Sequence, residues 1–123
     1  MAITRTYIGK AQYDFGIDGG AISAIALASN FSLPIGAMVI GAWTDVKTAM
    51  TSGGSATVAL AIGGVTIKAA ADMDDAAYTA IDAHLARTSA ALTTAAGALS
   101  FTVAVAALTA GKVDIYVEYI LAD

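Results

Sequence analysis

The stretches LSFTVAV at residues 99–105 and VDIYVEYIL at residues 113–121 decide the fold class of this chain. In both stretches large apolar residues take every second position. Small or polar residues stand between them in the first stretch, and in the second the opposite face carries Asp114 and Glu118. Successive side chains of a strand point to opposite faces, so this spacing predicts two half-buried antiparallel strands. The short connection with Gly111 predicts that they pair as a hairpin. The predicted core positions are Leu99, Phe101, Val103, Val105, Val113, Ile115, Val117 and Tyr119.

Further strands are predicted upstream. Residues 57–62 alternate in the same way, and the glycine pair at 63–64 then predicts a hairpin into residues 65–68, because glycine accepts the positive φ of primed turns. Residues 23–28 and 37–48 predict two more strands, and residues 4–8 a short strand or a reaching arm. About seven or eight short strands are typical of an all-β antiparallel β-sandwich or jelly roll. We expect residues 1–123 to form a single β-sandwich domain, with residues 1–10 as an N-terminal arm.

Residues 69–96 are the exception to this pattern. Asp72, Asp74 and Asp75 suit a helix N-terminus, because the helix dipole favours carboxylates there. Tyr78, Ile81 and Leu85 then recur at helical spacing. The segment predicts one short helix, with an irregular insertion as the alternative.

The composition indicates a chain that associates with other subunits. Apolar residues make up 58% of the sequence and charged residues 13%, against about 25% charged in an average soluble domain. The low charge implies either subunit interfaces or a membrane, but each long uncharged stretch is broken by turn signals or polar residues, which argues against a membrane span. The net charge is −4 and the six basic residues are scattered, so nucleic-acid binding is not expected.

The candidate chemical sites are weak. Asp72, Asp74, Asp75, Asp82 and His84 form the densest group of potential ligands, but Ala77 and Ala83 stand where a calcium loop needs glycine and glutamate. His84 is the single histidine, no Gly-x-Ser-x-Gly motif is present and cysteine is absent. We therefore expect no catalysis, no metal and no cofactor, and we interpret the acidic group as a solvated helix cap.

Aromatic side chains supply the candidate interface residues. Tyrosine and tryptophan provide large contact areas with a polar tip, and they commonly anchor interfaces. Tyr78 belongs to the same aromatic set, which favours a core or interface role over a sugar-stacking platform. The interface candidates are Arg5, Tyr7, Tyr13, Trp43 and Tyr116.

Residues 31–40, 45–46 and 52–60, together with the end of the chain at 105–119, resemble a group of small virion proteins of tailed bacteriophages. The resemblance implies a capsid cement, or decoration, protein: a jelly-roll-like homotrimer bound to the outside of an icosahedral head. It further implies the major capsid protein as partner, a location in the virion after synthesis in the host cytoplasm, and no catalytic residues. The alternative function is a head-fibre or tail adhesin that binds host surface glycans, for which Trp43 and the tyrosines would be the sugar-stacking residues.

Overall fold

The computed structural model describes residues 4–72, 78 and 91–122, and its regular elements are antiparallel strands with one short helix. Strand-forming β-branched and aromatic residues in alternation account for the longer strands. The elements in chain order are β1 (Thr4–Asp14), α1 (Phe15–Asp18), β2 (Ala24–Ile25), β3 (Ser32–Leu33), β4 (Met38–Ser52), β5 (Thr57–Ile62), β6 (Val65–Asp72), β7 (Ala91–Leu92), β8 (Gly97–Ala98), β9 (Ser100–Ala104) and β10 (Leu108–Ala122).

The strands form a jelly roll. The first sheet has the order β1-β10-β4-β7, the second has the order β2-β9-β5-β6, and β3 pairs with β8. The chain therefore pairs as one long hairpin, first strand with last and second with second last, which is rolled up into two packed sheets. This confirms the predicted all-β sandwich or jelly roll. The described residues hold more strands than the predicted seven or eight, because two-residue strands leave no periodic pattern.

The core lies between the two sheets and contains most of the predicted positions. Tyr13 of the first sheet stacks on Phe101 of the second, with ring centroids 4.4 Å apart and planes within 8°. Tyr119 is partly buried and packs against the core. Val105 does not: it is 70% exposed, so its prediction as a core residue is wrong. The predicted core residues that are buried are Leu99, Phe101, Val103, Val113, Ile115 and Val117.

The predicted hairpin between residues 99–105 and 113–121 is wrong. Strand β9 pairs with β2 and β5 in the second sheet, whereas β10 pairs with β1 and β4 in the first. The short β9–β10 connection thus crosses from one sheet to the other. Alternation identified both strands, but it carries no information about which strands pair.

The predicted hairpin at residues 57–68 is confirmed. Strand β5 pairs with β6, with Ile62 opposite Val65. Gly63 and Gly64 have φ values of 57° and 85°, which are the left-handed values that a two-residue turn of type I′ requires.

The segment around Asp72 differs from its prediction. Asp72 is the last residue of β6 and lies opposite Thr57, so it is a strand residue. Tyr78 is helical and wholly buried, and its hydroxyl donates a hydrogen bond to the Val58 carbonyl at 2.9 Å. The rest of the predicted helix lies outside the described residues.

The short helix α1 follows β1 directly. The Asp14 side chain caps it by accepting a hydrogen bond from the Gly16 N–H at 3.0 Å. The Asp18 carboxylate accepts hydrogen bonds from the N–H groups of Asp14 and Ala28, both at 2.9 Å. These bonds hold the β1–β2 connection against the body of the roll.

Candidate functional site

One end of the roll is formed by three connections that lie close together. The Leu108 N–H donates to the Gly20 carbonyl at 2.8 Å, and the Val103 N–H donates to the Ser23 carbonyl at 2.9 Å, which joins the β1–β2 and β9–β10 connections. A Cβ added at Gly54 would lie 3.2 Å from the Ala106 Cβ, so the β4–β5 connection lies beside them. We call residues 15–23, 53–56 and 105–107 the apolar end.

The apolar end exposes large hydrophobic side chains to solvent. Ile17, Ile22 and Val105 are 68%, 57% and 70% exposed, and Phe15 is 36% exposed. Asp18 is the single charged residue of these three segments, and its carboxylate is occupied by backbone N–H groups. Depletion of charge around exposed apolar residues is the composition of an interface core.

Val105 is held in a strained conformation at this end. Its φ of 73° is positive, which a β-branched residue rarely adopts. The Ala106 N–H donates to the Ala104 carbonyl at 2.9 Å across Val105, which is the hydrogen bond of a γ-turn. The strained turn directs the chain from the second sheet into the first and leaves the Val105 side chain in solvent.

A second candidate surface is the outer face of the first sheet, which we define by Lys10, Trp43, Asp45, Asp114 and Tyr116. Register places Lys10, Tyr116 and Trp43 in one row across β1, β10 and β4. The Trp43 and Tyr116 rings stack with centroids 5.4 Å apart, and the Lys10 ammonium lies 5.9 Å from the Tyr116 centroid. Tyr116 therefore has an aromatic ring on one side and a cation nearby.

The next row of the outer face brings two carboxylates together. Asp114 lies opposite Asp45, and like charges in that position repel. Asp114 is buried and accepts a hydrogen bond from the Gln12 amide at 2.6 Å, while the Lys10 ammonium is 3.6 Å away. Lys47 donates to Asp45 at 2.6 Å.

Cations on both sides thus offset the repulsion. Hydrogen bonding to Asp45 raises the pKa of Lys47. The second carboxylate oxygen of Asp45, Oδ1, is buried and has no hydrogen-bond partner in the described part of the chain. No group of three or more His, Cys, Asp or Glu residues is placed to hold a metal ion among residues 4–72, 78 and 91–122.

The predicted interface residues lie in different places. Trp43 and Tyr116 meet on the outer face, as described above. Tyr7 is 38% exposed and stacks on Tyr119 at 5.6 Å, and Arg5 is exposed on the same strand. The structure does not bring Arg5 and Tyr7 together with Trp43 in one cluster.

Tyr13 has to be removed from the interface candidates. Its side chain is wholly buried in the core, and its hydroxyl donates to the Gly19 carbonyl at 2.6 Å. Burial, together with the nearby charges of Asp18 and Asp14, raises the pKa of Tyr13 to about 12. The residue stabilises the join between β1 and α1 and presents nothing to a partner.

The sequence patterns do not identify Ile17, Ile22 and Val105 as surface residues. For Ile22 and Val105 the available signal was the absence of charge from residues 19–44, 48–67 and 88–111, which together include most of the apolar end but not Ile17. A charge-free run does not by itself say which of its apolar residues are exposed, because that depends on the pairing of distant strands.

The described residues thus form a jelly roll whose connections at one end expose apolar side chains. No protein-family model matches the sequence, and no curated protein resembles it closely enough to count as a match. Among the described residues, no helix is long and apolar enough to cross a membrane.

Two solved phage capsid structures contain chains with this fold. A chain of the acidic stable capsid of Helicobacter pylori bacteriophage KHP30 has a TM-score of 0.61 and 20% sequence identity, with coverage of 98% of this chain and 94% of that chain. A chain of the cyanophage Pam1 capsid asymmetric unit has a TM-score of 0.56 and 24% identity, with coverage of 96% and 86%. The shared fold thus extends over nearly the whole of this chain.

Proposed function

We propose that this chain is a phage virion structural protein, and specifically a capsid cement protein that binds the outside of the head and stabilises the lattice of the major capsid protein. One observation carries the proposal: the whole fold is shared with chains of two phage capsids, and those chains are of similar length to this one. A chain this short suits an additional component that bridges larger shell subunits. Its place in this proposal is the phage head, after synthesis in the host cytoplasm.

The apolar end supports assembly with further copies. Ile17, Ile22 and Val105 would be removed from water if the same end of neighbouring copies met around an axis. A three-fold axis gives the homotrimer that we propose. Contact between apolar ends leaves the outer face of the first sheet and the edge of β1 available for the shell.

The adhesin alternative receives less support from the outer face. A sugar-binding platform needs aromatic rings whose faces are open to solvent. Trp43 and Tyr116 stack on each other, and Lys10 lies near the Tyr116 ring, so the two rings offer less open face to a sugar. The proposed function involves no catalysis, cofactor, nucleic acid or membrane.

A cement protein acts through binding equilibrium. A protein that binds the assembled shell but not its dissociated subunits shifts the equilibrium towards the shell. For one site the stabilisation is about 2.7 kcal/mol when free protein is about a hundredfold above its Kd. Many copies on one lattice add their contributions, which opposes the outward pressure of packaged DNA.

Heat-induced release of DNA tests this function. Heads that lack the protein should release DNA at a lower temperature than complete heads, because the bound copies stabilise the shell. The measurement is the fluorescence of a DNA-binding dye during heating, and addition of purified protein should restore the release temperature. If depleted heads are as heat-resistant as complete heads and the protein does not co-sediment with them, the cement function is wrong.

A further inference from the structure

Strand β1 leaves a long unpaired edge. It is the outermost strand of the first sheet, and it pairs with β10 over all of Thr4–Asp14 without a bulge. Among the described residues, the outermost strands β2 and β7 have two residues each. The outermost strand β6 is longer, but its pairing with β5 contains register shifts. Long, regular edges are normally covered or broken, because they can pair with another strand.

The backbone groups at this edge can be assigned. The Gln12 N–H donates to the Ser29 carbonyl at 2.9 Å, on the side away from β10. Backbone groups of an antiparallel strand point to alternate sides, so Thr6, Ile8 and Lys10 point the same way as Gln12. Because Gln12 already pairs with Ser29, the unpaired part of the β1 edge stops before Gln12. Within the described part of the chain, the outward N–H groups of Thr6, Ile8 and Lys10 have no hydrogen-bond partner.

The charge of the β1 edge indicates which kind of strand it can bind. Residues 4–12 contain Arg5 and Lys10 and no acidic residue, in a chain whose net charge is −4. Both cationic side chains are exposed, although Lys10 lies 3.6 Å from Asp114. Arg5 and Lys10 are an odd number of positions apart, so they lie on opposite faces of β1. Two copies paired through β1 would bring together two edges that carry cations and no carboxylate within residues 4–12, which disfavours a second copy. An extended segment with carboxylate side chains is complementary.

We propose that the free edge of β1 binds an extended, acidic strand from the shell, which adds to the first sheet next to Thr6, Ile8 and Lys10. The proposal rests on the proposed function, since it takes the partner from the head. Main-chain hydrogen bonds supply the affinity and the carboxylates facing Arg5 and Lys10 supply the specificity. Within the predicted N-terminal arm at residues 1–10, residues 4–10 belong to β1 and already pair with β10. The edge is therefore preformed and needs little ordering on binding.

The test substitution is Ile8→Pro. Proline removes the outward N–H and blocks a neighbouring strand, yet an edge strand accepts it where its N–H faced solvent. Ile8→Ala is the comparison, since it removes the side chain and keeps the N–H. We expect Ile8→Pro to reduce co-sedimentation with depleted heads by about tenfold or more and Ile8→Ala to reduce it less. Circular dichroism and Tm must show that both variants are folded.

Charge and hydrogen exchange provide independent measurements. Arg5→Glu should weaken binding to heads, and added salt should weaken binding of the unmodified protein. In the free protein the amides of Tyr7 and Gly9 should exchange slowly, because they face β10, and those of Thr6 and Ile8 quickly. Binding to heads should slow the exchange of Thr6 and Ile8.

The outcomes separate this proposal from the function on which it rests. If the unmodified protein binds heads and Ile8→Pro binds equally well, with no new protection at Thr6 and Ile8, the edge proposal is overturned while the cement function stands. If Thr6 and Ile8 become protected with rising protein concentration in the absence of heads, the occupant is a second copy and the proposal is also overturned. Failure of the unmodified protein to bind heads refutes the function itself.

Discussion

Tyr13 and Phe101 show how single residues connect the two sheets. Tyr13 belongs to β1 and Phe101 to β9, and their rings stack at 4.4 Å across the core. The Tyr13 hydroxyl also donates a hydrogen bond to the carbonyl of Gly19, which directly follows α1 in the β1–β2 connection. One aromatic pair therefore links both sheets and the base of the apolar end.

Truncation of Phe101 should destabilise the fold strongly. Phe101→Ala removes a wholly buried ring and leaves Tyr13 without its stacking partner. We expect a loss of about 3–5 kcal/mol in the free energy of unfolding, measured by urea denaturation. Thr102→Ala, on the opposite side of β9, should change the free energy of unfolding by less than about 1 kcal/mol. Equal effects of the two substitutions would contradict the register of β9.

Asp114 shows what alternation can predict for a single residue and what it cannot. The period-two pattern of residues 113–121 predicted correctly that Asp114 lies on the face opposite Val113. It did not predict that Asp114 is buried, with Gln12 and Asp45 beside it. Those neighbours come from strands about seventy or more residues away in the chain, and local periodicity contains no information about them.

At the scale of elements, one predicted hairpin is confirmed and the other is wrong, because only the first has turn residues that require a hairpin turn. The β5–β6 turn carries two glycines that adopt the required positive φ, so the sequence marks the turn itself. The β9–β10 connection has no such mark, and it changes sheets through the strained Val105 turn. Gly111, which suggested a hairpin turn, lies inside β10 instead.

Gly63 should be intolerant of a side chain. Its φ is 57°, and an added Cβ would lie 2.7 Å from Thr93 Cγ2 and 2.8 Å from the Ala95 carbonyl oxygen. We expect Gly63→Ala to lower the free energy of unfolding by about 1–3 kcal/mol, as seen in thermal or urea melts. Gly53→Ala is the matched control, because no atom lies within 4 Å of its added Cβ. If Gly63→Ala leaves the free energy of unfolding unchanged, the β5–β6 turn is not packed against the β7–β8 connection.

At the scale of the whole molecule, the rolled hairpin explains the distribution of charge. The β1–β2, β4–β5 and β9–β10 connections come from distant parts of the sequence, and the roll gathers them at one end. The low overall charge predicted an interface without placing it. The strand topology brings charge-free segments that are distant in the sequence together at the apolar end. The charged residues Lys10, Asp45 and Asp114 lie on the outer face of the first sheet.

The proposed self-association, and the end of the roll that it uses, can be tested by placing a charge at either end. Ile17 at the apolar end and Ile35 in the β3–β4 connection are almost equally exposed, at 68% and 67%. Ile35 lies at the opposite end, because Gly36 and Thr94 bond there to the Thr93 and Gly63 carbonyls. The pair therefore matches in residue type and exposure and differs in location.

Ile17→Asp should weaken self-association, because a carboxylate buried without a partner in a subunit interface costs several kcal/mol. We expect its association constant to fall by about thirtyfold or more, equivalent to about 2 kcal/mol, with Tm of the dissociated chain little changed. Ile35→Asp should associate like the unmodified protein. Light scattering over a range of protein concentrations gives both constants, and a homotrimer gives three times the monomer mass of 12.2 kDa at saturation. If Ile35→Asp dissociates the oligomer and Ile17→Asp does not, the subunits meet at the other end of the roll. In that case the apolar end would be the surface left for the shell, because its exposed isoleucines and Val105 would still need a partner that covers them.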